Sequence, residues 1–164
     1  MHHFLGSEMN TIKYRDGYRY QLAETYRIEV DIHNKDTFDV NTEYVDLNCK
    51  GLLWIKAGYA FDGPSGPTKW MCDRAPKWLR NWILKTILRG SLVHDALYQL
   101  IRQGYLNSFD DCIDYREKAD KELKRICLED GMSKIRAWWV YRGVRRFAKF
   151  AALPENKKKI LEAP

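Results

Sequence analysis

The segment Gly58–Trp70, GYAFDGPSGPTKW, holds three glycines and two prolines within thirteen residues. Proline removes a backbone donor and fixes φ, and glycine weakens both helix and strand, so no regular element runs through it. It divides the chain into two stretches of different periodicity, and any fold must accommodate that division. Upstream, YRYQLAETYRIEVDI alternates polar and apolar residues through Tyr20, Leu22, Tyr26, Ile28 and Val30, the pattern of half-buried strands. Tyr44–Asn48 and GLLWIKAGYAF are two further strand candidates, the second entered through Gly51.

Downstream the pattern turns helical. Asp73 is the expected cap of a first helix, with Pro76 in its first turn, that runs to about Leu88. Gly90 is expected to break it. Ser91 then caps a second helix, SLVHDALYQLIRQ, which Gly104 ends. Ser108 caps a third that ends at Gly131, and Ser133 caps a fourth, KIRAWWVYRGVRRFAKFAAL. The expected fold is therefore α+β: a small antiparallel sheet in the N-terminal third packed on a bundle of about four helices. With 164 residues and 45% hydrophobic content, one core suffices, and residues 11–153 are expected to form a single domain. Residues 1–10 read as tag or disordered sequence outside the domain, with MHHFLGSE as tag residue ahead of a native start at Met9, so His2 and His3 carry no functional weight. Residues 154–164 read as a basic tail.

Several classes are excluded. The most apolar region, from Trp78 to Ile101, is interrupted by Arg80, Lys85 and Arg89, so no membrane-spanning segment and no membrane partner is expected. Cys49, Cys72, Cys112 and Cys127 show no CxxC spacing, which argues for reduced, mostly buried thiols in a cytosolic setting rather than a zinc knuckle. GPSGP lacks the second glycine of a nucleophile elbow, and no P-loop, dinucleotide fingerprint or HExxH is present.

Charge is uneven. From Lys134 onward nine basic residues face two acids, within a chain of net charge +6, which points to an anionic partner such as a nucleotide or nucleic acid. In the fourth helix Trp138, Trp139, Tyr141 and Phe147 interleave with Arg142, Arg145 and Arg146. Such a face either stacks bases and binds phosphates or is a core stripe flanked by solvated arginines.

The second helix carries the densest chemistry. Leu92, Val93, Ala96, Leu97, Leu100 and Ile101 form one apolar stripe. Ser91, His94, Asp95, Tyr98 and Arg102 occupy the other side, where lysine and glutamate are usual. An imidazole, a carboxylate and a phenol one turn apart suit metal binding, proton transfer or a buried network. On the third helix Asp120 falls among apolar positions and needs a partner, for which Arg116 is the local candidate.

Taken together, GYAFDGPSGP, then HDALY, then REKAD and finally YRGVRRF resemble domain-of-unknown-function family 1353 of tailed phages and prophages. The likeness spans roughly Tyr18–Phe150. Phe61, Asp62, Gly63, Ser65 and Pro67 match the family's Asp-Gly-x-Ser-x-Pro loop. Pro64 and Gly66 depart from it and make the loop stiffer and less apolar. His94, Asp95 and Tyr98 match its His-Asp-x-x-Tyr helix, and Arg116 and Asp120 match the third segment. The resemblance implies a phage protein, in the host cytoplasm or the virion, and supplies no activity.

The expected function is a small hydrolase, a phosphodiesterase acting on nucleic acid or on a cyclic nucleotide signal of host defence. Its catalytic residues would be His94, Asp95, Asp62 and Ser65. Asp62, His94 and Asp95 could hold Mg²⁺ or Mn²⁺, or His94 could act as a metal-free general base. Tyr98, Arg102, Arg142, Arg145 and Arg146 would bind substrate, with Arg116 and Asp120 in support. Two alternatives use the same residues: a non-catalytic protein that sequesters a nucleotide or other anion, and a virion or tail assembly protein in which the cluster is a structural clasp.

Overall fold

The structure is a computed structural model and describes residues 14–15, 20–32, 39–64, 74–106 and 114–147. Its architecture is α+β, with antiparallel sheet in the N-terminal part and four helices packed together in the C-terminal part. The chain divides into two compact units, 1–60 and 61–164.

In the first unit, β1 (Tyr14–Arg15) and β2 (Tyr20–Leu22) pair antiparallel, and β7 (Ala60–Phe61), at the unit's last residue, completes that sheet in the order β1-β2-β7. A second sheet takes β3 (Tyr26–Glu29), β4 (Val40–Asn41), β5 (Val45–Leu47) and β6 (Leu52–Ile55) in the order β3-β6-β5-β4. Alternation sets its register. Leu47 lies opposite Leu53, and Ile55 opposite both Val45 and Tyr26, so these buried side chains line one face. The β5–β6 turn is held by Asn48, whose Oδ1 accepts from the Lys50 and Leu52 amides at 3.0 and 2.8 Å.

In the second unit, α1 spans Lys77–Lys85, α2 Leu88–Arg102, α3 Tyr115–Glu129 and α4 Lys134–Phe147. Helix α2 is the hub. It packs chiefly on α3, which in turn packs on α4. From Leu88 to Leu100 only Asp95 and Gln99 escape full burial. The polar side of α2 is therefore interior, because α3 and its partners cover it.

Helix boundaries follow local chemistry. Asp114 caps α3 by accepting from the Glu117 amide at 3.0 Å. The Ser133 hydroxyl faces the Arg136 amide at 3.4 Å, at the expected start of α4. Helices α2 and α3 both end in a left-handed glycine: Gly104 at φ 83 and Gly131 at φ 85. In each case the next amide reaches back five residues, Tyr105 to Leu100 and Met132 to Cys127, closing the turn.

Two expected boundaries are corrected. Helix α1 stops at Lys85 rather than Leu88. Helix α2 begins at Leu88 and runs through Gly90 and Ser91, so neither residue breaks or caps it; the Ser91 amide bonds to the Ile87 carbonyl at 2.8 Å. Gly90 serves packing instead. A Cβ there would lie 3.0 Å from Leu123 Cδ1, 3.1 Å from Cys127 Sγ and 3.2 Å from the Leu123 carbonyl oxygen, so its bareness lets α2 and α3 approach closely. The expected caps Asp73 and Ser108 lie outside the described residues, as do Cys72 and Cys112.

Candidate functional site

The second unit is organised around Asp120. Its carboxylate is wholly buried, and three side chains from two other helices meet it. His94 Nε2 and the Tyr98 hydroxyl, both from α2, lie 2.8 Å from Oδ1. Arg145 of α4 donates to Oδ2 at 3.2 Å. The i, i+4 spacing of His94 and Tyr98 stacks their rings, with centroids 4.1 Å apart, so both polar tips reach one oxygen.

Asp95 stands on the other side of the imidazole, its Oδ1 3.8 Å from His94 Nδ1. Its Oδ2 accepts from the Asp62 backbone amide at 3.2 Å. Gly63 follows in the left-handed region, with φ 67, a conformation glycine adopts without the cost of a Cβ. The start of the glycine-proline loop is thus tied to the His94–Asp95 pair through a main-chain donor. Asp95 is half-buried, whereas the Asp62 side chain is exposed.

An outer layer braces the acceptor. Arg116 Nε is buried, has no hydrogen-bond partner among the described residues, and stands 4.0 Å from Asp120 Oδ2. A terminal nitrogen of the same guanidinium donates to the Arg145 carbonyl oxygen. Arg145 also reaches Asp114 Oδ2 at 3.0 Å. The local partner that spacing offered Asp120, Arg116, is therefore its most distant one, and the closer partners come from other helices.

Proton affinities follow from this packing. Burial alone would lower the His94 pKa, but its hydrogen bonds to Asp120 and Asp95 and the charges of both carboxylates outweigh that, and the net direction is up. Burial, together with the Asp120 charge, raises the Tyr98 pKa, so Tyr98 remains a phenol and a donor at neutral pH. Burial raises the affinity of Asp114, but the Glu117 amide and Arg145 outweigh it and hold this carboxyl below its usual value.

Of the residues singled out in the sequence, His94, Asp95, Tyr98, Arg116, Asp120 and Arg145 come together. Asp62 joins through its backbone, and Ser65 lies outside the described residues. Arg102 sits half-buried in the last turn of α2. Arg142 and Arg146 are exposed and stand over the Trp138 and Phe147 rings, at 5.7 and 6.0 Å from their centroids. Trp138, Trp139 and Phe147 are themselves exposed and do not form a core stripe; Ala137, Val140 and Val144 supply the packing face of α4. Sequence reasoning missed Asp114. Its signal was there, an N-cap residue followed three positions later by Glu117.

A divalent metal is a poor fit to this donor set. Among the described residues no three His, Cys, Asp or Glu side chains are arranged to hold one. His94 Nε2 is committed to Asp120, and one Asp95 oxygen is taken by the Asp62 amide. In the N-terminal unit a cleft of about 500 Å³ is lined by residues such as Asp46, Trp54 and Lys56 and includes none of this cluster. No family model, curated protein or solved structure matches the chain.

Proposed function

We propose that the chain is a phage-encoded hydrolase that cleaves a phosphodiester, in nucleic acid or a cyclic nucleotide signal, with His94 as general base. The observation that carries this reading is an imidazole fixed at one nitrogen by a wholly buried carboxylate, with its other nitrogen toward the half-buried Asp95, which accepts from the Asp62 amide. In the neutral tautomer Nε2–H donates to Asp120 and Nδ1 keeps its lone pair. A water at Nδ1 would give up a proton to His94 as its oxygen attacks phosphorus. The ester P–O bond breaks, and the imidazolium returns the proton to the departing oxygen. Asp120, held by Tyr98 and Arg145, orients the ring and stabilises its charged form without itself taking the proton.

The test is turnover of a panel of oligonucleotides and cyclic nucleotides by the wild-type protein and by His94→Gln. Glutamine can still donate to Asp120 but cannot act as a base. Turnover falling by about 10²–10⁴-fold in a folded variant supports general-base catalysis. Ligand retention with no turnover by the wild-type protein would instead favour the sequestering function.

A second reading has one observation in its favour. Asp120 accepts from three side chains and is fully sealed, as a clasp in a virion or tail assembly protein would require. In that case no panel member is turned over or retained, and His94→Gln changes stability alone.

A further inference from the structure

Helices α1 and α4 turn large apolar side chains to the outside. On α1, Trp78 and Trp82 are one turn apart and 72% and 52% exposed. On α4, Ile135, Trp138 and Trp139 recur at helical spacing and are 74%, 46% and 65% exposed. Arg136 joins the two helices: its guanidinium donates to the Thr86 hydroxyl at 3.0 Å and covers the Trp82 ring at 5.0 Å. Neither helix contains an acidic residue, while α1 carries three basic residues and α4 five. Isolated exposed apolar residues are ordinary, but four tryptophans and an isoleucine on two joined helices are a patch.

We propose that this face docks the protein on the surface of an anionic lipid bilayer. Charge complementarity selects the occupant. A face with no acids repels a second copy of itself and attracts a negatively charged surface. The aromatic geometry then separates bilayer from single-stranded nucleic acid. Stacking bases need free ring faces, and Arg136 and Arg142 already take one face each of Trp82 and Trp138. Trp138 and Trp139 meet edge to face at 77°, and Ile135 has no ring. A bilayer interface accepts indoles and aliphatic chains in any orientation and pairs the flanking cations with headgroups. No helix among the described residues is long and apolar enough to cross a membrane, so the contact is one of lying on the surface; the expectation of no membrane partner rests on the lack of a spanning segment, which does not bear on surface docking. This inference is independent of any catalytic role for His94.

The full chain is floated with vesicles of phosphatidylcholine and phosphatidylserine in equal parts, and with vesicles of phosphatidylcholine alone. The expected result is binding to the mixed vesicles, weakened by salt and much reduced on the neutral ones. Trp138→Ala/Trp139→Ala should weaken it by about tenfold or more, since removing two interfacial indoles forfeits well over one factor of ten. Arg142→Glu/Arg146→Glu should do the same through charge. All four positions are exposed, so circular dichroism is expected to be unchanged. Failure of the folded wild-type protein to bind the mixed vesicles overturns the proposal, as does binding that survives both double variants. Capture of a single-stranded oligonucleotide that the same variants abolish, without vesicle binding, assigns the face to nucleic acid and also overturns it.

Discussion

His94 Nε2 and Asp120 Oδ1 lie 2.8 Å apart although 26 positions separate them in the chain, and the contact fastens the middle of α2 to α3. Asp120 is fully buried and also receives Tyr98 and Arg145. Removing it strands three donors at once. Asp120→Ala is expected to destabilise the protein by about 3–5 kcal/mol, the cost of breaking a buried charged network from one side. Asp120→Asn keeps one acceptor and should cost less. Urea unfolding of both variants checks the order; an alanine variant within 1 kcal/mol (about the cost of an ordinary substitution) would contradict it.

The His94 proton gives stability a pH dependence of definite sign. Its folded-state pKa lies above the ordinary histidine value of 6.5. The contribution is therefore complete below about pH 6.5 and is lost as pH rises through the folded value. Chemical denaturation across that range should show stability falling toward alkaline pH, and His94→Gln should flatten that segment. The same raised value makes His94 a stronger base, and turnover should rise over the pH range in which stability falls.

Much of this network was legible in the sequence, but not its connectivity. The HDALY stretch put an imidazole, a carboxylate and a phenol on one side of α2, and the apolar stripe beside it was plain. Asp120 stood out because a carboxylate occupied an apolar helix position. Spacing alone offered it Arg116, since neighbours three or four positions apart are the pairings a single helix reveals. His94, Tyr98 and Arg145 reach it through tertiary packing, which periodicity does not encode. Gly90 misled for a related reason. Glycine ends helices by conformation but also sits inside them where a neighbour comes close, and only the partner helix distinguishes the two. The sheet followed from alternation, because strand burial depends on residues two apart.

That close approach makes Gly90 a test of packing against propensity. Alanine would improve helix propensity by up to about 1 kcal/mol. Its Cβ would stand 3.2 Å from the Leu123 carbonyl oxygen and about as near Leu123 Cδ1 and Cys127 Sγ. The side chains can yield, but the backbone oxygen cannot without moving α3, and overpacking of this kind costs roughly 1–3 kcal/mol. Gly90→Ala should therefore be destabilising overall, with a lower midpoint in thermal unfolding. A stabilised variant would mean that α3 shifts freely.

Cys127 lies in the same contact, and burial pushes its thiol up to about 12. Since the thiolate is the reactive species, it should resist alkylation in the native protein at pH 8. Cys49 is only half-buried and should be labelled faster. Peptide mapping after a short iodoacetamide pulse distinguishes them, and loss of the difference in denaturant attributes it to the fold.

Arg145 makes two ion pairs of different worth. Asp114 is 47% exposed at its side chain and Asp120 wholly buried, while Arg145 is 28% exposed. Solvent screens the first pair, so its coupling should be about 0.2–1 kcal/mol. The second lies against a carboxylate cut off from water, where losing the donor costs roughly 2–3 kcal/mol. Arg145→Met should therefore be much more damaging than its contact with Asp114 explains. Asp114→Ala should cost about 1 kcal/mol, mainly as the lost cap of α3. A double-mutant cycle between Arg145→Met and Asp114→Ala isolates the pair from the cap. Coupling below about 1 kcal/mol, beside a larger single effect for Arg145→Met, is the expected pattern. Coupling that accounts for the whole Arg145 effect would make the exposed pair, and not Asp120, the anchor of α4.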